Sequence, residues 1–113
     1  MKDRSTVEKM IFYADKILQY TENETVKSVS ENSILAEACV FNLSQIGELA
    51  HKVSRKFSDK YVQIPWRALY GLRNKIVHEY DGLRLTLIWE IIFEDIPLIK
   101  KELEKILAVA KND

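Results

Sequence analysis

Apolar residues return every three or four positions along nearly the whole of this chain, and very little interrupts them. Val7, Met10, Ile11, Ala14, Ile17 and Leu18 trace one stripe; Leu35, Ala38, Cys39, Ile46, Leu49 and Val53 trace a second. Leu87, Ile88, Ile91, Ile92, Leu98, Ile99, Leu103, Ile106 and Leu107 trace a last one. Three glycines and two prolines in 113 residues are too few for the many tight turns of an all-β fold. Helices with short connections remain, and 47% hydrophobic residues suffice for one core, so residues 1–113 are expected to form a single domain.

The punctuation sets provisional boundaries. Ser5-Thr6-Val7-Glu8 fits a capping box and predicts a first helix over about residues 5–20, followed by a polar connection from Thr21 to Ser30. A second helix is expected from Asn32 or Ser33, with its pattern broken between Arg55 and Gln63. Pro65 suits the first turn of a third helix reaching His78 or Glu79, because its missing N–H has no intrahelical partner there. Asp81-Gly82 signals the next turn, and a last helical region runs from Leu85 to Ala110. Pro97 requires either a kink in that region or a separate helix capped by Asp95. The fold class is therefore all-α, an antiparallel bundle of four or five helices.

No run approaches the ~18 apolar residues of a membrane span, and Met1-Lys2-Asp3-Arg4-Ser5 leads into an amphipathic pattern rather than a secretory signal. Cys39, the single cysteine, allows neither an internal disulfide nor a thiolate cluster. A cytoplasmic location is expected, with no membrane partner.

Seventeen basic and seventeen acidic residues cancel, yet their distribution is uneven. From His51 to His78 the seven cations Lys52, Arg55, Lys56, Lys60, Arg67, Arg73 and Lys75 face Asp59 alone, a formal +6. Such a segment can attract phosphates, or simply be a solvated helix face.

Within it lies Arg73-Asn74-Lys75-Ile76-Val77-His78-Glu79-Tyr80. Positions five apart are separated by about 140° around a helix, so Arg73 and His78 do not stack, although Asn74 and His78 do. A long arginine side chain and a frayed helix end could still gather Arg73, His78 and Tyr80 around one ligand. Their chemistry suits RNA cleavage without a metal. Histidine exchanges protons near neutrality, and arginine presents a permanent charged fork to phosphate oxygens. One chain supplies one histidine here, while a twofold homodimer would supply both an acid and a base. On spacing alone, Arg73 on the surface and His78 against a helix C-terminal dipole remain the simpler reading.

The wider pattern is more specific. Gln45-Ile46-Gly47-Glu48-Leu49-Ala50, Ile64-Pro65-Trp66-Arg67-Ala68-Leu69-Tyr70-Gly71-Leu72 running into the motif, Leu87-Ile88-Trp89-Glu90 and Asp95-Ile96-Pro97-Leu98 together resemble the HepT-like family of the HEPN superfamily. That resemblance covers nearly the whole chain. It implies a helical bundle that forms a symmetric homodimer, and a ribonuclease toxin paired with a nucleotidyltransferase-fold antitoxin. By the same resemblance Arg73 would hold the scissile phosphate and His78 would be the acid/base. Asn74 would fill the supporting polar position, and Tyr80 would accept AMP from the antitoxin, which blocks the site. In that family Glu48 is a structural position; from the basic segment, Lys75 and Arg67 are expected to add phosphate or RNA contacts. No cofactor or metal is implied.

Other readings compete. A non-catalytic helical dimer could bind a nucleotide or substrate for a nucleotidyltransferase, or the chain could be a plain dimerisation unit. Glu48-Leu49-Ala50-His51 is a Glu-x-x-His pair of the kind that builds di-iron bundles, but Lys75 stands three residues before the other histidine, His78. Trp66, Tyr70 and Trp89 could stack on bases or fill the core.

Overall fold

A computed structural model describes residues 2–79 and 85–109, and among these all the regular structure is helical, with no strand. Seven helices appear there in chain order: α1 (Lys2–Thr21), α2 (Val26–Ser30), α3 (Ser33–Lys52), α4 (Arg55–Lys60), α5 (Trp66–Glu79), α6 (Leu85–Glu90) and α7 (Ile96–Val109). A π-helical turn, Ile91–Asp95, joins α6 to α7, so the bundle has four long helical paths and two short helices between them. None of the described helices is long and apolar enough to cross a membrane.

Helix α1 already includes Lys2, three residues before the expected start. Ser5 is therefore an exposed residue inside the helix rather than a cap, and the Thr6 hydroxyl donates back to the Lys2 carbonyl at 3.0 Å. The competing use is Asp3, an acid in the first turn where the helix dipole favours it. Its carboxylate also accepts from the backbone N–H and hydroxyl of Ser54, at 2.8 and 2.7 Å. The helix ends where Asn23 takes a left-handed φ of 65°, which a short polar side chain tolerates.

The expected connection to Ser30 contains α2. Thr25 and Ser28 form a reciprocal capping box and Val29 is fully buried. A five-residue helix with one core residue leaves no period to read. Likewise α4 sits where the pattern breaks, started by the Ser54 hydroxyl accepting from the Phe57 N–H at 3.2 Å and anchored by buried Phe57. Asn32 caps α3 as expected, its side chain accepting from Leu35 N–H at 3.1 Å. Helix α5 follows Pro65, whose carbonyl accepts from Leu69 N–H at 3.0 Å. The Asp81-Gly82 turn lies outside the described residues.

Asp95 does not cap a separate helix before Pro97. Asp95 is part of the π turn, and Ile96 N–H donates to the Ile91 carbonyl five residues back. Widening the helix by one residue just before the proline relieves the register in which a missing N–H and a ring clash would fall.

Helix α3 is the centre, packed on α1 and α5. Val7, Met10, Ala14 and Ile17 of α1 are fully buried, and Cys39, Leu43 and Ile46 of α3 are buried with them in one core. On the other side of α1, α7 runs antiparallel: Arg4 donates to the Leu107 carbonyl at 2.9 Å, while Lys100 pairs with Asp15 at 2.6 Å. That carboxylate raises the Lys100 ammonium above the ordinary lysine value. Burial pushes the Cys39 thiol up to about 11.

Candidate phosphate site on helices α3 and α5

Gly47 sits mid-helix in α3, where glycine costs roughly 1 kcal/mol relative to alanine. The cost has a reason. A Cβ at this position would meet the Leu69 carbonyl oxygen and the Arg73 Cβ, both closer than 3.0 Å. The missing side chain lets α5 approach α3 at the level of Arg73.

Close approach places the Arg73 guanidinium beside Glu48, the next residue on α3. The Arg73 Nε is 2.9 Å from Glu48 Oε2, with side chains 28% and 35% exposed. Arg73 Nη1 donates to Asn74 Oδ1 at 2.9 Å. A guanidinium carries five N–H donors, so two are committed to holding the fork and three remain for a ligand. A guanidinium held in this way could receive an anion without first having to be ordered.

The rest of the motif lies along α5. Arg67, Gly71, Asn74 and His78 recur at i, i+4, i+7 and i+11, one stripe of the helix, with Ala68 and Lys75 beside it. Arg67, Lys75 and His78 are exposed and Asn74 is half-buried. Space beside Gly71 is open, with nothing within 4 Å of where a Cβ would be. Val77 adds an apolar side chain that is 53% exposed. The described contacts of Arg73 go to Glu48, Asn74 and the ring of Tyr70, not to His78, consistent with the angle between positions five apart. Tyr80 lies outside the described residues.

Of the aromatic candidates, Trp66 and Trp89 are core residues, 8% and 1% exposed. Trp66 donates its indole N–H to the Tyr61 carbonyl at 2.9 Å. Tyr70 is half-buried and stacks on His51. The Glu48-His51 pair is thus divided between two partners, Glu48 facing Arg73 and His51 facing Tyr70. Among the described residues no group of three His, Cys, Asp or Glu side chains is placed to hold a metal ion.

Glu48 as the arginine's partner is not readable from the motif, because the two residues are far apart in the chain and meet only through the α3–α5 packing. Gly47 carries the one local signal, a glycine inside an otherwise helical pattern.

The sequence profile described as Ribonuclease HepT-like matches residues 10–106, and the chain belongs to that family. A provisionally named RNase of Caldanaerobacter subterraneus subsp. tengcongensis is 35% identical over 106 residues, covering 88% of this chain and 95% of its own. One from Methanocaldococcus jannaschii is 33% identical over 91 residues, covering 80% and 84%. A protein of Thermococcus cleftensis, named for HepT ribonuclease, is 33% identical over 69 residues, covering 61% and 63%. No solved structure matches the chain significantly.

Gly47→Ala tests the helix contact by its sign. At an open helical position the change stabilises by roughly 0.5–1 kcal/mol, whereas here overpacking against a backbone carbonyl is expected to destabilise by roughly 1–3 kcal/mol. Urea unfolding with an unchanged slope and a lower midpoint is the expected result. A midpoint raised above wild type would show that the helices separate at no cost.

Proposed function

We propose that the protein is a metal-independent endoribonuclease toxin acting as a symmetric homodimer, restrained by a nucleotidyltransferase-fold antitoxin. The observation that carries the reading is the pre-oriented Arg73, with donors to spare, on the helix whose exposed stripe holds Asn74 and His78. Arg73 binds the scissile phosphate and stabilises the charge that grows on it as the 2′-hydroxyl oxygen attacks. His78 removes the 2′-hydroxyl proton or protonates the leaving 5′-oxygen. One imidazole cannot be base and acid in the same step, so a second copy supplies the other.

The exposed face of α5 supports that assembly. Ala68 and Gly71 are small enough for another helix to come near. Across a twofold axis on this face, the two His78 side chains and the two Arg73 forks border one cleft. Lys75 and Arg67 then add positive charge at its edges. The relatives' ribonuclease names favour the same chemistry.

A second reading is that the fork holds a nucleotide without cutting it. Glu48 favours this reading to the extent that it already neutralises one charge of the site. Catalysis separates the two.

Labelled single-stranded RNA should be cleaved in excess chelator, with a two-limbed pH profile if one histidine gives a proton while its counterpart takes one. His78→Ala is expected to reduce kcat by ~10²-fold or more. Arg73→Ala should reduce it by ~10²–10³-fold, and Arg73→Lys should recover only part because the flat fork is lost. Full activity in a folded His78→Ala protein, or activity that chelator abolishes and a divalent ion restores, sinks this mechanism.

Sedimentation equilibrium at micromolar concentration should return twice the 13.2 kDa of the chain, as expected of an interface of at least ~1,000 Å². Gly71→Arg, placed in the open space on α5, should return the single-chain mass. A wild-type monomer excludes the two-histidine cleft.

Tyr80 is the proposed control point, since an AMP group two residues from His78 adds bulk and negative charge where substrate phosphate belongs. Incubation with ATP and the cognate nucleotidyltransferase should raise the mass of the Tyr80 peptide and abolish cleavage, and Tyr80→Phe should escape both. Modified protein that still cleaves RNA would remove the tyrosine from this role.

A further inference from the structure

In the last turn of α3 the exposed imidazole of His51 lies flat on Tyr70 of α5, ring centroids 3.9 Å apart and planes 10° apart. The guanidinium carbon of Arg73 lies 6.0 Å from the centre of the same tyrosine ring. Tyr70 therefore connects the phosphate fork to a second ring, whose remaining surface meets solvent.

Just past His51 the chain turns a corner at Val53 and Ser54, which Asp3 clamps to α1 through two hydrogen bonds. Lys52 stands before the corner, with Arg55 and Lys56 after it, all exposed. Arg67 is exposed one turn before Tyr70 on α5. Acids offer little opposition. Asp59 meets Arg55 at 3.9 Å with side chains 74% and 93% exposed, a pair worth little in water. Asp3 is occupied by Ser54, and Glu48 by Arg73.

An exposed ring that steps away from a phosphate fork, continued by cations in solvent, matches what a single strand of RNA requires. Bases stack on rings without regard to sequence, while phosphates follow the cations. A duplex, with its bases already stacked inside, has no use for the ring. We propose that the His51–Tyr70 stack and the corner cations Lys52, Arg55 and Lys56 form a track that feeds single-stranded RNA to Arg73. One base rests on His51, and the phosphates beyond it lie against the three cations. The track rests on the RNA-cleaving reading of the site, and binding measurements distinguish the failure of one from the failure of the other.

The probes are fluorescein-labelled 2′-O-methyl RNA strands of about 3 and about 12 nucleotides, which lack the attacking hydroxyl and survive the measurement. Fluorescence anisotropy with the whole protein should show the longer strand binding at least ~10-fold more tightly than the shorter. Lys52→Ala/Arg55→Ala/Lys56→Ala should lose that gain and flatten the slope of log affinity against log salt by about 2, the value for three phosphate contacts. His51→Ala should weaken the longer strand by about 5-fold or more, and His51→Phe, which keeps a flat ring, should recover most of it. Circular dichroism checks that each variant is folded. A triple variant with wild-type affinity and salt slope overturns the track, and if Arg73→Ala still weakens binding, the phosphate site survives. Wild-type protein that binds neither strand overturns both.

Discussion

The approach of α5 to α3 at Gly47 is the constraint on which the rest of this molecule depends. Helix axes normally stay 8–10 Å apart, at a distance set by the side chains between them. Here the contact is a bare α-carbon facing a carbonyl oxygen and the first carbon of an arginine side chain. That contact fixes how Arg73 leaves α5, and Glu48 is the adjacent residue waiting for it. Helix α3 can hold this position because α1 covers its other side, and α1 is itself tied to α7 at Arg4 and Asp15.

Pairing Arg73 with Glu48 has opposing consequences. A carboxylate at 2.9 Å offsets charge that an incoming phosphate would otherwise feel in full. The same carboxylate, with Asn74, restricts a side chain that would lose much rotamer freedom on binding. For any anion that binds there, the donors left over are already oriented. Orientation would then be gained at some expense in raw attraction.

The long helices are legible in the amino-acid pattern because each buries a stripe that repeats over many turns; Val7, Met10, Ala14 and Ile17 are all fully buried. Asn32 and Pro65 mark two starts, since a cap and a proline act locally, although Pro65 stands just before α5 rather than in its first turn. Ser5 misleads for a related reason: a potential cap is used only if the residues before it are not helical, and Lys2, Asp3 and Arg4 are. Helices α2 and α4 escape the pattern because each contributes a single buried residue, Val29 or Phe57, to the core. The π turn escapes it because its cause, Pro97, allows several remedies and the choice depends on packing along α7. At the site, the spacing from Arg73 to His78 is visible as a pattern, whereas Glu48 and the His51–Tyr70 stack acquire their partners only once α3 and α5 lie side by side.

Cys39 lies within α3, without solvent exposure and with its thiol pushed up to about 11. Both conditions for nucleophilic attack by sulfur, access and ionisation, are withheld at neutral pH. The folded molecule is therefore chemically silent toward oxidants and alkylating agents that act through a thiolate. The silence lasts only as long as the core stays closed around this residue. A single thiol so placed turns the rate of its own modification into a clock for the opening of the helix on which the whole site is built.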